Sequence, residues 1–144
     1  GMAIANNLIE MSRIRVPIIS VFIGEGGSGG ALGLGVADRI LMLENAIYSI
    51  LSPEGFASIL WKDVNRTKEA AEKMRLTAAD LKELGVIDKI IDEPYGGAHN
   101  NREEAANNLR NSIVKELNEL INYDINKLIE ERYSKFRMMG NMWD

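Results

Sequence analysis

Ten consecutive residues, Gly24-Glu25-Gly26-Gly27-Ser28-Gly29-Gly30-Ala31-Leu32-Gly33, are where this chain can do chemistry, and they offer backbone rather than side chains. A glycine cluster between an apolar run and a helix lets a ligand approach the main chain closely. It also leaves the first helical amides without intrahelical partners. Six glycines in this window exceed what packing of a helix on a sheet normally requires.

Three chemistries fit the same residues. Gly24, Gly26 and Gly29 match the G-x-G-x-x-G dinucleotide pattern, with Glu44 near the spacing of a ribose-binding acid. The elements that follow do not repeat the strand, long helix, strand rhythm of such a domain, and no Gly-Lys-Ser/Thr makes a P-loop. Gly26-Gly27-Ser28-Gly29-Gly30 also matches G-x-S-x-G, making Ser28 a nucleophile, His99 its base and Asp88 or Asp92 the orienting acid. A small residue in a tight turn explains Ser28 equally well, and His99, the sole histidine, lies in a polar turn where capping or solvation suffices. In the third chemistry the N–H groups of Gly29 and Gly30 face an oxygen on which negative charge develops. This one asks nothing of scarce side chains.

The elements that position the loop read as alternating strands and helices. Met2 to Ile14 places Ile4, Leu8 and Met11 on one helical face. Val16 to Ile23 is a β-branched run buried on both faces, with Pro17 tolerated only near its start. A helix follows over Gly29 to Ala37, then short strands over Arg39 to Leu43 and Ala46 to Leu51. Ser52-Pro53-Glu54 is a helix-start signal running to about Lys62, and Thr67 opens another helix. Thr77 to Asp80 resembles a capping box for a helix ending at Gly85, and Val86 to Ile91 returns as a strand. Arg102 to Ile121 and Ile125 to Met138 read as amphipathic helices. No repeat stands out. The pattern is α/β with a helical C-terminal extension.

Composition narrows the function classes. The chain has 144 residues, 46% of them apolar, enough for one domain with a real core. A net charge of -4, from 17 basic against 21 acidic side chains, argues against a dedicated nucleic-acid or anionic-membrane surface. The longest apolar runs fall far short of the roughly 20 residues that span a bilayer. Without cysteine there is no disulfide, thiolate metal site or Cys nucleophile.

Ile23 to Gly33, then Val36-Ala37-Asp38, Met42-Leu43-Glu44, Tyr48-Ser49, Ser52-Pro53-Glu54-Gly55, Ile59-Leu60-Trp61-Lys62, Leu81 to Asp88 and Glu93 to His99 follow one another in a recognisable order. Together they resemble the carboxyltransferase α subunit family of bacterial multisubunit acetyl-CoA carboxylase. The resemblance extends to Glu131-Arg132-Tyr133-Ser134-Lys135-Phe136 near the C-terminus, and it departs at Phe56, where relatives often carry cysteine.

That resemblance implies an α/β fold of the crotonase type, built of stacked ββα turns. This chain would be its C-terminal portion, with residues 1–98 as core and 99–144 as helical tail. The implied reaction moves a carboxyl group from carboxybiotin to acetyl-CoA, giving malonyl-CoA for fatty acid synthesis. Carboxybiotin releases carbon dioxide, the biotin ring nitrogen takes a proton from the acetyl methyl, and the resulting enolate attacks the carbon dioxide. Gly29 and Gly30 would be the oxyanion donors facing biotin, with Gly26, Gly27 and Ser28 forming the carboxybiotin-side loop and a β subunit supplying the second donor pair.

Leu32 takes the helix position where hydratases of the same superfamily place a glutamate, which implies proton transfer without a protein base. Glu54 occupies another position where hydratases use an acid, and its place at a helix start explains it structurally. The implied partners are the β subunit, the biotin carboxyl carrier protein and acetyl-CoA, in an oligomeric cytoplasmic assembly. Zinc would belong to the β subunit and ATP to the biotin carboxylase, so no metal is expected here. A portion of a two-subunit site is expected to be inactive alone, and a noncatalytic assembly role is the alternative. Arg132, Lys135 and Arg137 read as a solvated helix face, or as contacts to a phosphate-rich ligand or the β subunit. Trp61 and Trp143 read as packing or interface residues.

Overall fold

The structure is a computed structural model that describes residues 1–140; Trp143 lies outside the described residues. Helix α1 (Met2–Arg13) leads into β1 (Ile19–Phe22), β2 (Glu25–Gly27) and α2 (Ser28–Leu34). The same order of two strands and a helix recurs as β3 (Arg39–Leu43), β4 (Ile47–Ser49) and α3 (Pro53–Trp61). A 3₁₀ turn (Val64–Arg66), α4 (Thr67–Met74) and α5 (Ala78–Glu83) precede β5 (Lys89–Ile91), and α6 (Arg102–Leu120) and α7 (Ile125–Met138) complete the described chain.

Successive turns stack strand on strand. One parallel sheet has the order β1-β3-β5, and a second pairs β2 with β4. In register, Ile19 faces Arg39 and Phe22 faces Met42, while Gly26 faces Tyr48. The central strand β3 is the core: Ile40, Leu41 and Met42 are at most 1% exposed, consistent with an apolar run covered on both faces. Leu120 of α6 and Leu128 of α7 are each 1% exposed.

Several elements are shorter than the sequence predicts, each because a side chain or a turn captures the terminal backbone groups. The strand expected from Val16 begins only at Ile19, since Ile18 N–H donates to the Asp38 carboxylate at 2.7 Å and the Val16 carbonyl accepts from Arg132. The helix expected to reach Ala37 stops at Leu34, where Gly35 N–H closes on the Ala31 carbonyl at 2.8 Å. Asp38 and Arg39 amides then turn to the Ile18 carbonyl. The Val86 amide still donates to Leu81, which delays β5 to Lys89. Caps match the sequence signals: Ser52 accepts from Gly55 N–H, and Thr77 accepts from Asp80 N–H. α3 ends with Lys62 in the left-handed region at φ 55°.

A short repeat does exist, contrary to expectation. Asp38-Arg39-Ile40 opens β3 and Asp88-Lys89-Ile90 opens β5. Each aspartate accepts the N–H of the residue leading into, or within, the neighbouring strand of the preceding turn: Asp38 from Ile18, and Asp88 from Ile40 at 2.6 Å. Three residues are too few for a periodicity search, so the signal is spatial before it is sequential.

Candidate functional site

The glycine segment is not a loop but strand β2 followed at once by α2, with no intervening turn. The chain changes direction at Ser28, the first residue of α2, which holds φ at 62°. For a residue with a Cβ this left-handed conformation is costly, and such strain persists only where surroundings impose it. A left-handed residue set directly before a right-handed helix turns successive backbone N–H groups toward one side. Gly29 and Gly30 follow in the first helical turn, where amides have no partner four residues back and Gly27 contributes no side-chain cap.

The six glycines of the window divide sharply by what surrounds them. A Cβ on Gly26 would run into the Phe22 ring, which is itself stacked on Tyr48 with centroids 4.0 Å apart. A Cβ on Gly29 would come within 3.0 Å of Ile4 Cδ1, and one on Gly33 within 3.1 Å of Asn7 Nδ2, so α1 rests on the backs of both. At Gly24, Gly27 and Gly30 an added Cβ meets nothing within 4 Å, and none of the three has a positive φ. Neither packing nor backbone conformation requires glycine there. Glycine there leaves the main chain open to close approach.

β2 is a thin partition between two cavities, each about 590 Å³. On one side lie β1, Met11 and Leu34. On the other, Gly26, Gly27 and Ser28 face the start of α3, where Ser52, Pro53 and Glu54 stand opposite. The predicted residues Gly26, Gly27 and Ser28 therefore line a cavity together, with Gly29 and Gly30 just beyond its rim. Gly29 is half-buried under Ile4, and Gly30 is exposed. Glu54 is an exposed carboxylate held below the usual range, by its own backbone N–H first and by the Ser52 hydroxyl second. It is ionised near neutrality and has no proton to donate, unlike a general acid, whose value is raised.

The two alternative chemistries are not assembled. No hydrogen bond among the described residues joins Ser28, His99, Asp88 and Asp92. Asp88 is occupied by Ile40 N–H and by the Lys135 ammonium, and His99 is exposed in a turn beside Glu93. The dinucleotide pattern fails because Gly26 lies within a strand, where a phosphate-binding turn is needed, and because Glu44 accepts from Glu93 N–H at 3.2 Å. Among the described residues no three or more His, Cys, Asp or Glu side chains converge as a metal site, and no helix is long and apolar enough to cross a membrane.

Of the three α7 cations read as a solvated face or as ligand or β-subunit contacts, Arg137 is exposed, Lys135 is half-buried and Arg132 lies inside. Arg132 is 2% exposed and bidentate to Asp38 at 2.8 Å, and Lys135 reaches Asp88. Their i, i+3 spacing on α7 matches the two aspartates that open β3 and β5, so one helix face spans two successive turns of the fold. The signal available beforehand was the pairing of that spacing with the repeated Asp-basic-Ile. Trp61 packs as expected, edge-on to Phe56 with Arg66 3.9 Å above its ring.

Comparison with known proteins bears on the family and the fold. The chain is 61% identical over 142 residues to the acetyl-coenzyme A carboxylase carboxyl transferase subunit alpha of Clostridium botulinum (strain Alaska E43 / Type E3), covering 99% of this chain and 52% of that protein. The chain thus spans about half the length of the curated relatives it matches. Among solved structures, a Pseudomonas malonate decarboxylase hetero-tetramer in complex with coenzyme A superposes with a TM-score of 0.69 at 18% identity, covering 99% of this chain and 59% of that one. An enoyl-CoA hydratase from Mycobacterium avium subsp. paratuberculosis K-10 superposes at 0.61 with 14% identity, covering 98% and 57%. These place the fold in the crotonase class, with the stacked ββα turns described above. The family model for acetyl co-enzyme A carboxylase carboxyltransferase-like proteins matches residues 1–140, and the chain belongs to that family.

Proposed function

We propose that this chain is the part of an acetyl-CoA carboxylase carboxyltransferase α subunit that presents the Gly29 and Gly30 N–H groups to an oxygen gaining charge as the carboxyl group moves from carboxybiotin to acetyl-CoA. Gly26, Gly27 and Ser28 frame the carboxybiotin side. The observation that carries this reading is that Gly27 and Gly30 are glycines with open space where a Cβ would stand. Bare backbone beside unpartnered amides suits a planar, anionic oxygen that must come within about 3 Å of nitrogen.

Carboxybiotin enters as a substrate carried by its own protein, and the fit of the chain to it rests on the 590 Å³ cavity beside Gly26 to Ser28. The chain's share of the work is electrostatic and positional. Amide dipoles fixed before the reaction need no reorganisation when charge appears, and one such donor is worth about 10²- to 10³-fold in rate. Leu32, on the next turn of α2, brings no titratable group, which fits proton transfer from the acetyl methyl to the biotin nitrogen without a protein base. The cavity's far wall is largely apolar, with Ile47, Ile50, Leu51 and Leu76, and Ile50 remains 60% exposed. A carboxyltransferase β subunit seated there would dry the site and strengthen the amides. The assembled enzyme would work in the cytoplasm.

The test is Gly30→Pro in a full-length subunit containing this sequence, assembled with β subunit and biotinylated carrier, with malonyl-CoA formation as the readout. Position 30 lies in the first helical turn, where proline removes a donor without breaking an intrahelical bond, and the preceding Gly29 has no Cβ to clash. Turnover is expected to fall about 10²-fold or more while assembly persists. Wild-type turnover from a properly assembled variant would sink the oxyanion role.

A further inference from the structure

Helix α1 is an element without a core of its own. None of its residues is buried, yet it lies along α2, with Ile4 over Gly29 and Asn7 over Gly33. What holds its C-terminal end is a side chain from the opposite end of the chain. The Arg132 guanidinium donates to the Met11 carbonyl at 3.2 Å, to the Ile14 carbonyl at 2.7 Å and to the Val16 carbonyl at 3.0 Å. Its remaining N–H groups make the bidentate pair with Asp38, and Asp38 also accepts from Ile18 N–H. One planar fork therefore closes the end of α1, the entry to β1 and the entry to β3, in the geometry that guanidinium favours and ammonium cannot reproduce.

We infer that Arg132 is a positioning residue for the Gly29–Gly30 turn, acting through α1. The inference rests on the oxyanion reading for its link to turnover, though not for the mechanical coupling itself. The path is short and physical: guanidinium to the Met11 and Ile14 carbonyls, along α1, then Ile4 onto the Cα of Gly29. α2 has only seven residues and three of them are Gly, so it has little stiffness of its own. Its partner helix sets where its first turn points.

The experiment uses two variants, Arg132→Lys and Ile4→Ala, in the 144-residue chain and in the assembled carboxyltransferase. Lysine keeps a cation against Asp38 but lacks the fork that reaches three carbonyls. Ile4 is 38% exposed, so its truncation leaves the fold standing if the Arg132 variant does not. In the chain, amide exchange at Ala5, which donates to the Gly1 carbonyl, is expected to accelerate about ten-fold in Arg132→Lys, a local opening rather than global unfolding. The NMR amide resonances of Gly29 and Gly30 shift in both variants, while Leu128 at the start of α7 keeps its protection. In the assembled enzyme kcat falls about ten-fold with the acetyl-CoA KM unchanged, as misplacement of a transition-state donor requires. Unmoved Gly29 and Gly30 resonances in both variants would overturn the positioning role, as would full recovery of wild-type exchange by lysine. Shifted resonances with undiminished kcat would uphold the coupling and defeat the oxyanion reading instead.

Discussion

Replacing Gly30 by alanine separates two explanations of the glycine cluster by driving stability and activity in opposite directions. If the glycine serves only the fold, adding a methyl costs stability; if it serves a ligand, the fold gains. Gly30 lies within α2, its φ is not positive, and a Cβ there meets nothing within 4 Å. Alanine is favoured over glycine in a helix by about 0.5–1 kcal/mol, with no clash to subtract. For a chain of this size that corresponds to a rise of about 2–4 °C in Tm. Gly26→Ala is the contrasting control, since its Cβ runs into the Phe22 ring, held against Tyr48, and overpacking of that kind costs about 1–3 kcal/mol. In the assembled enzyme Gly30→Ala is expected to lower turnover at least about ten-fold, because a methyl now stands where the substrate approaches the amide. Unfolding is followed by denaturant melts on the chain and on the full-length subunit, and turnover by malonyl-CoA formation. Unchanged turnover would refute the ligand explanation. So would a loss of stability confined to the full-length subunit, which would mean that protein, and not substrate, fills the space beside Gly30.

Two further outcomes follow from the same geometry. Ser28→Gly relieves a left-handed backbone that costs a side-chain-bearing residue about 1 kcal/mol, so Tm rises slightly and malonyl-CoA formation persists; complete loss of activity with an intact fold would revive Ser28 as a nucleophile. Glu93 governs an acid-sensitive tie: desolvation pushes its carboxyl up, but the Asn45 and Ala98 amides and the nearby His99 outweigh this and hold it below its ordinary 4.5. Because the folded form binds its proton less readily than the unfolded chain, the stability it contributes is full above the ordinary value and is lost as pH falls through the lowered one. Glu93→Gln should flatten that part of the stability profile below about pH 4.5 in acid melts, and an unaltered acid slope would show that the tie is not there.

The elements legible in the sequence were those whose signals are local. Ser52 before Pro53 and Thr77 before Asp80 each cap a helix by a bond spanning three residues, and the helix starts came out where those side chains sit. Element ends were less legible because long-range partners set them. Val16 to Ile18 looks like strand by composition, yet its backbone is claimed by Arg132 and Asp38, 116 and 20 positions away. β2 was hidden for a different reason. Glu25-Gly26-Gly27 has no β propensity, and it is a strand because β4 offers a ladder and because Phe22 needs a residue without a side chain to lie on.

The same distinction explains why the glycine cluster stood out in the sequence while the burial of Arg132 did not. A glycine cluster shows in one short window, whereas an ion pair between Arg132 and Asp38 links residues 94 positions apart and leaves each looking like an ordinary surface charge. Burial decides the meaning of such a charge. At 2% exposure an arginine is held only if its donors are satisfied, and the carbonyls it satisfies here belong to the segment that ends α1 and enters β1. A helix that contributes no buried residue of its own, yet supports the first turn of α2, requires an external anchor. Arg132 supplies that anchor from α7, whereas Arg137, further along the same helix, stays in solvent.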